Sequence, residues 1–494
     1  MTTTNVNETA APLKRGPILA ALVIGAFVAL LSQTLLNVAL PKMMENLAIS
    51  ANTAQWLTTG YMLVNGVLVP ISAYLIGRFT TRTLFNSASL LFLLGTIVCA
   101  VSPGFGLLLA GRLVQAAGAG IMMPLMTVVV LTIFPVAERG KAMGTMGLAM
   151  IFAPAVGPTL SGWIVEHYSW RVLFYIVIPL ALLAFLYGYY AMRNVTKSQP
   201  SPLDKTGVLL STLGFGGLLY GFSDAGNDGW GSAPVVASLA IGVVSLLLFI
   251  RRELTTEKPI LEFRVFKYSM FSLTTAINGI ATMAMFSGMI LLPIYLQTLR
   301  GFTPMESGLL LLPGAILMGI MSPITGAIFD KVGARWLAVA GLGITVVTTY
   351  QFSVLTLDTS YTHILWVYTA RMFGMSLMMM PIQTAGLNQL PQRLGAHGSA
   401  MSQTLRNVSG ALGTALLVSI MTHEAATRGK ELITAGGIDP NDQAAMLAVT
   451  QEAAVHGINY AFVVATWMTV VSFAMSFFIK NTKPQEEAPA LAKA

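Results

Sequence analysis

The chain is a succession of long apolar runs separated by short polar breaks. A helix needs about 20 mostly apolar residues to cross the hydrocarbon core of a bilayer. Fourteen segments meet that need, at 17–40, 54–76, 83–102, 106–134, 142–164, 170–192, 206–223, 233–250, 269–298, 304–328, 334–356, 362–386, 397–421 and 456–479. The runs are too long for membrane-barrel strands and lack their alternation. The pattern therefore predicts an all-α polytopic membrane protein with fourteen transmembrane helices. Lys14 and Arg15 precede the first run, as in a signal peptide. That run is too long for a signal h-region and thirteen more follow, so a retained anchor is expected. Two polar stretches stand out: 193–205, between runs six and seven, and 422–455, the longest expected loop, with room for a short helix.

Composition agrees. Of 494 residues, 55% are hydrophobic and 10% charged, and the mean hydropathy is +0.72. A soluble domain carries about 25% charged residues. A soluble enzyme, a disordered chain and a nucleic-acid binder are excluded. The excess of 28 Lys+Arg over 20 Asp+Glu reflects topology. With the N-terminus inside, 20 of the 28 bases fall on the cytoplasmic side, among them Arg78, Arg82, Arg139, Lys141, Arg251 and Arg252. Five fall outside (Lys42, Arg171, Arg300, Arg428 and Lys430), and Arg112, Arg371 and Arg406 lie within runs. Cytoplasmic loops are the ones enriched in Lys and Arg, so both termini are expected in the cytoplasm of a plasma-membrane protein. Trp56, Trp163, Trp170, Trp230, Trp336 and Trp366 fall near run ends, where aromatic rings favour the interface, and Trp467 falls well inside a run. The single cysteine, Cys99, sits in an apolar run and reads as a small buried hydrophobe.

The chain carries an internal repeat. The loop after run ten reads Gly326-Ala-Ile-Phe-Asp330-Lys331-Val-Gly333-Ala-Arg335. The loop after run two, Ala73 to Arg82, keeps the register, with Gly77 where the acid would be and Thr80 in place of the glycine. Further motifs are Gln33-Thr34-Leu-Leu-Asn37 through Pro41, Gln55-Trp56 through Tyr61, Gly111-Arg112-Leu-Val-Gln115-Ala-Ala-Gly118, Gly157-Pro158-Thr-Leu-Ser161-Gly162 and Ser169-Trp170-Arg171. Over roughly residues 15–480 this set resembles the major facilitator superfamily, in its fourteen-span drug:proton antiporter branch typified by EmrB and QacA, nearest to the LmrB-like lincomycin-resistance exporters. The resemblance implies a major facilitator fold: a six-helix bundle in 1–192, a linker with two inserted helices in 193–268, and a second six-helix bundle in 269–494.

The residues themselves carry some of the chemistry. Gly157, Pro158 and Gly162, with Gly144, Gly147 and Pro154, make run five bendable and closely packed. The loop of Gly326, Asp330, Lys331, Gly333 and Arg335 can tie neighbouring helices together through its charges and helix-end dipoles. By the resemblance it is a conformational latch, weak in the copy at Gly77. An arginine at bilayer depth faces the bundle interior or a wet cavity. By the resemblance Arg112 with Gln115 belongs to a motif linked to proton transfer. No Asp or Glu sits centrally in any run, and Ser32 occupies the place where the family expects an acid. Glu306 and Asp224 are the remaining coupling candidates. Thr303-Pro304-Met305-Glu306 reads as a helix-start capping box, and Asp224 sits at an outer run end. A mixed cavity is expected from Gln33, Asn37, Tyr61, Asn65, Arg112, Gln115, Asn278, Tyr295, Gln297, Arg371 and Gln383, with pliable methionines at Met122, Met123 and Met378 to Met380. Each polar member is equally an interhelix hydrogen-bond partner.

No Walker loop, Cys/His cluster or Ser/His/Asp set is present, so the chain is read as a non-enzyme with no cofactor and no metal. The leading reading is a monomeric efflux transporter for small amphipathic drugs, exchanged for protons. The alternative is a transporter or flippase for a defined anionic lipid or metabolite, favoured by three embedded arginines without embedded acids. A channel or receptor is a third reading, which the duplicated loops and run five oppose.

Overall fold

The computed structural model describes residues 14–49, 51–196, 204–256, 259–436 and 442–480. Among these, fourteen α-helices follow one another: α1 (Arg15–Leu47), α2 (Ala51–Arg78), α3 (Thr81–Val101), α4 (Phe105–Ile133), α5 (Arg139–His167), α6 (Arg171–Ala191), α7 (Lys205–Asp228), α8 (Ala233–Thr255), α9 (Ser269–Ile294), α10 (Pro304–Val332), α11 (Ala334–Gln351), α12 (Tyr361–Asn388), α13 (Gly395–Gly436) and α14 (Gln443–Ser476). No strand occurs among the described residues. Each expected apolar run lies on its own helix. Among the described residues, eleven helices are long and apolar enough to cross a membrane. Arg371 and Gln383 dilute the hydropathy of α12.

Short polar side chains start the helices. Thr80 accepts from Thr83 N at α3, Asp204 from Gly207 N at α7, Ser360 from His363 N at α12, and Asp442 from Ala444 N at α14. These side chains satisfy orphan first-turn N–H groups. The α10–α11 break turns on Gly333 at φ +85°, left-handed backbone that favours glycine. Asp204 also takes two bonds from Arg252, at 2.7 and 2.8 Å, which join the start of α7 to the end of α8. The guanidinium holds the Asp204 carboxyl below the usual carboxylate range.

Two large apolar clusters form the interior. One draws mainly on α1–α6, the other on α9–α14. The two halves meet along α5 with α10 and along α2 with α13. The α7–α8 hairpin joins the first cluster through Phe215 and Phe249, with α7 packed on α2 and α13 at once. Trp56 stacks on Tyr220 at 5.8 Å, and Trp230 Nε1 donates to Ser419 Oγ at 3.0 Å.

Two expectations need correction. The stretch 422–455 is not a loop with a short helix. α13 runs 42 residues and α14 runs 34, so the two continue as a polar hairpin past their apolar parts. Arg428 bridges it, pairing with Glu431 and Glu452 at 3.3 Å. A polar helix with no apolar run leaves no hydropathy signal. Trp170 is not an interface anchor. It is fully buried beneath the Arg171 guanidinium, 4.2 Å from its ring, and meets Phe174 edge-on.

Candidate functional site

The basic end of the molecule, where α1 and α5 begin and α10 ends, is closed by backbone-to-backbone packing. Gly140 and Gly144 of α5 face Gly326 and Ser322 of α10. Both pairs have the small-xxx-small spacing that lets helix backbones approach. A side chain at Gly326 would meet the Gly140 carbonyl, and one at Gly140 would meet Asp330 and Gly326. In that close approach the Asp330 carboxylate accepts from Gly140 N at 2.8 Å and Lys141 N at 2.9 Å. An acid from one half thus caps the first turn of a helix from the other, where orphan N–H groups and the helix dipole favour negative charge. Ser322 Oγ donates to Gly144 O at 2.9 Å, and Arg139 Nη1 donates to Asn388 Oδ1 at 3.0 Å. Lys331 is exposed, and Arg335 lies against the Trp336 ring at 5.5 Å. The Gly77 copy meets nothing within 4 Å of an added Cβ.

Two small cavities, of about 20 and 10 Å³, lie above this closure. The first is lined by Thr275, Asn278, Gly279 and Thr282 of α9, Met379 and Gln383 of α12, and Ser402 and Arg406 of α13. The second lies between the halves. It is lined by Met123, Met126 and Thr127 of α4, Met143, Met146 and Met150 of α5, Met380 and Gln383 of α12, and Gln403 and Arg406 of α13. Gln383 and Arg406 belong to both, and among the described residues no acid lines either.

Arg112 sits elsewhere. It is fully buried, its guanidinium 4.3 Å from the centre of the Tyr61 ring. It donates to Leu57 O at 3.4 Å and to Gln115 Oε1 at 2.9 Å. Gln115 in turn donates to Thr96 Oγ1 at 2.7 Å and Ser32 Oγ at 3.3 Å. Four helices, α1 to α4, are stitched through one arginine–glutamine pair. Arg371, on the corresponding fourth helix of the second half, is fully buried too. It donates to Ala284 O at 2.9 Å and Ser287 Oγ at 3.1 Å on α9. Gly288 leaves the room it needs. Among the described residues, Arg112 Nη2 and Arg371 Nε and Nη1 have no hydrogen-bond partner.

The other sequence-selected residues are scattered. Of the expected polar lining, Asn278 and Gln383 reach the cavities. Tyr61 is the floor for Arg112. Tyr295 is buried, its hydroxyl donating to Thr356 O at 2.5 Å. Gln33 and Asn65 are half-buried and Gln297 is exposed. Gly157 packs on Thr34 of α1, Thr34 donates to Ala153 O at 3.3 Å, and Gly162 is half-buried. The side chains of Asn37 and Pro158 lie outside the described residues. Glu306 is exposed and makes the full capping box, accepting from Thr303 N at 2.8 Å. Asp224 is half-buried on α7.

Sequence reasoning missed Gln403 and the face of Met143, Met146 and Met150. Their i, i+3, i+7 spacing marks one side of α5, a signal that was available. It also missed Gly140, whose importance comes from a partner 190 residues away.

The profile of the Major Facilitator Superfamily matches residues 22–414. The MFS-type transporter YhcA of Bacillus subtilis (strain 168) is 49% identical, over 94% of this chain and 93% of its own length. The lincomycin resistance protein LmrB of the same organism is 44% identical, over 94% and 96%. Among solved structures, the human organic anion transporter MFSD10 (TETRAN) superposes with a TM-score of 0.63 over 93% of this chain and 100% of its own, at 12% identity, a likeness of fold alone.

Proposed function

The chain belongs to the major facilitator superfamily, whose members are transporters and not enzymes, and on that premise we propose that it is a secondary active exporter of amphipathic drugs, exchanged for protons. In this reading all fourteen helices cross the plasma membrane. α1–α6 and α9–α14 are two bundles, within 1–192 and 269–494, that rock about the cavities between them, with α7–α8 as an inserted pair. Both termini face the cytoplasm, so the Asp330 closure is the cytoplasmic gate.

One observation carries the proposal. A cavity lined by methionines, neutral polar groups and Arg406 lies at the seam of two halves, above a gate made of backbone contacts and one carboxylate. Methionine's flexible thioether adapts to varied apolar shapes, and bundles built on small-residue seams can separate and re-seat. Similarity to a lincomycin resistance protein over nearly the whole chain adds to it.

The test is transport of a drug panel by inside-out vesicles, with and without an imposed pH gradient. Saturable accumulation that collapses with a protonophore is expected. Flux that does not saturate and ignores the gradient would refute exchange and favour a channel. Orientation is tested with a membrane-impermeant maleimide on intact cells, in a Cys99→Ala background. Thr434→Cys, exposed at the α13 tip, is expected to label and Thr255→Cys is not. The reverse pattern would invert the topology.

A further inference from the structure

We infer that Arg406 is the anchor for an anionic group, so that the ligand of the central cavity is an amphipathic organic anion. This rests on the export reading and narrows it from amphipathic drugs in general to those carrying an oxyanion.

The three embedded arginines are not alike. Arg112 and Arg371 have no exposed surface, and each donates to a neighbouring helix, α2 for one and α9 for the other. They hold helices together. Arg406 makes one described hydrogen bond, to the Gln403 side chain three residues earlier on its own helix. It forms none of the described ion pairs. It keeps part of its surface open, and it lines both cavities. A guanidinium that ties no helices and faces a cavity has its donors free for a ligand.

Its depth and surroundings select the ligand. Arg406 lies about 17 Å along α13 from Gly395, at 1.5 Å per residue, which is near the middle of the apolar run. Such positions are occupied by charge only at a cost, and that marks substrate pathways. Arginine stays protonated throughout the working pH range. With no acid among the described residues of either cavity wall, the positive charge there is uncompensated until a ligand arrives. A planar guanidinium pairs with carboxylate or sulfonate through two parallel bonds. Asn278, Gln383 and Gln403 add neutral polar groups beside it, and the methionine wall receives an apolar body. A cationic drug meets repulsion at the same spot.

The experiment uses the full chain in phosphatidylcholine nanodiscs and three fluorescent probes that share the dansyl group: dansyl-leucine (an anion), its isosteric neutral amide, and dansylcadaverine (a cation). Dansyl-leucine is expected to bind at least tenfold tighter than the amide, with the cation weakest. Arg406→Gln is expected to abolish that preference and Arg406→Lys to keep part of it. Equal binding of the three probes to the wild type overturns the proposal, and so does a preference that survives in Arg406→Gln. If Arg406→Gln fails to fold, the wild-type comparison still decides. Competition identifies the source of the anion. Displacement of dansyl-leucine by lysophosphatidylglycerol but not by lysophosphatidylcholine names a lipid headgroup, and displacement by neither names soluble anions. Displacement by both overturns the charge requirement. The two readings fail separately. Gradient-driven export of cationic drugs without an anion preference removes this inference alone, and an anion preference without gradient-driven flux removes the export reading alone.

Discussion

Gly326→Val is expected to abolish export while leaving a folded protein in the membrane. Valine is a better helix former than glycine, so α10 itself does not suffer. The damage falls on the seam, where a side chain at 326 meets the Gly140 carbonyl and the Lys141 backbone. Those atoms belong to the opposing helix and cannot rotate aside. Overpacking of this kind costs about 1–3 kcal/mol, and about 1.4 kcal/mol is already tenfold in an equilibrium. The gate would rest open. Asp330→Asn is the milder member of the same prediction. The amide keeps one acceptor, but the charge that complements the α5 dipole is lost. Charge-assisted bonds contribute about 1.5–3 kcal/mol, so transport is expected to fall several-fold. Gly77→Asn, in open space, is expected to transport like wild type. Maleimide reaction at Gln383→Cys, a cavity position, measures gate opening from the basic end: fastest in Gly326→Val, intermediate in Asp330→Asn. Wild-type transport by Gly326→Val would show that this seam is not a gate.

Much of the fold was legible because transmembrane helices announce themselves by apolar length. The run expected at 83–102 is Thr81–Val101, and that at 106–134 is Phe105–Ile133. The capping box at Thr303 was legible because its two reciprocal bonds need only four consecutive residues. The polar ends of α13 and α14 were not, since hydropathy is silent on helices outside the bilayer. The site was legible in kind and not in place. The sequence shows three arginines in apolar runs, and charge alone cannot rank them. Packing separates them: Arg112 and Arg371 are consumed by neighbouring helices, while Arg406 is left facing a cavity. The Asp330 cap was half legible. The acid stands in a repeated loop, but its partner, the first turn of α5, is adjacent only in space.

Arg112→Ala is expected to eliminate gradient-driven export and to lower the melting temperature. The truncation leaves Gln115 Oε1 with only the long 4.0 Å contact from Cys99 Sγ and uncovers the Tyr61 ring. A buried acceptor left without its donor costs about 1–3 kcal/mol. Part of that is offset, because a desolvated charge with no acid beside it is removed as well. Four helices lose their common tie, and with it the rigid movement of the first bundle that alternating access requires. Arg112→Lys separates two roles. Lysine keeps the charge but lacks the planar fork that spans Tyr61, Leu57 and Gln115. A stable Arg112→Lys protein with at least tenfold lower accumulation would mean that the fork is needed. Full accumulation would mean that a positive charge suffices. The peripheral acids complete the test. Glu306→Gln is expected to transport normally, since glutamine preserves the capping box that occupies Glu306. If Asp224→Asn also keeps full pH-driven accumulation, neither acid carries the proton. The proton then rides on another titratable group, since neither a guanidinium nor a carboxamide carries it. If Arg112→Ala transports at the wild-type rate, that network is scaffolding and no part of the coupling.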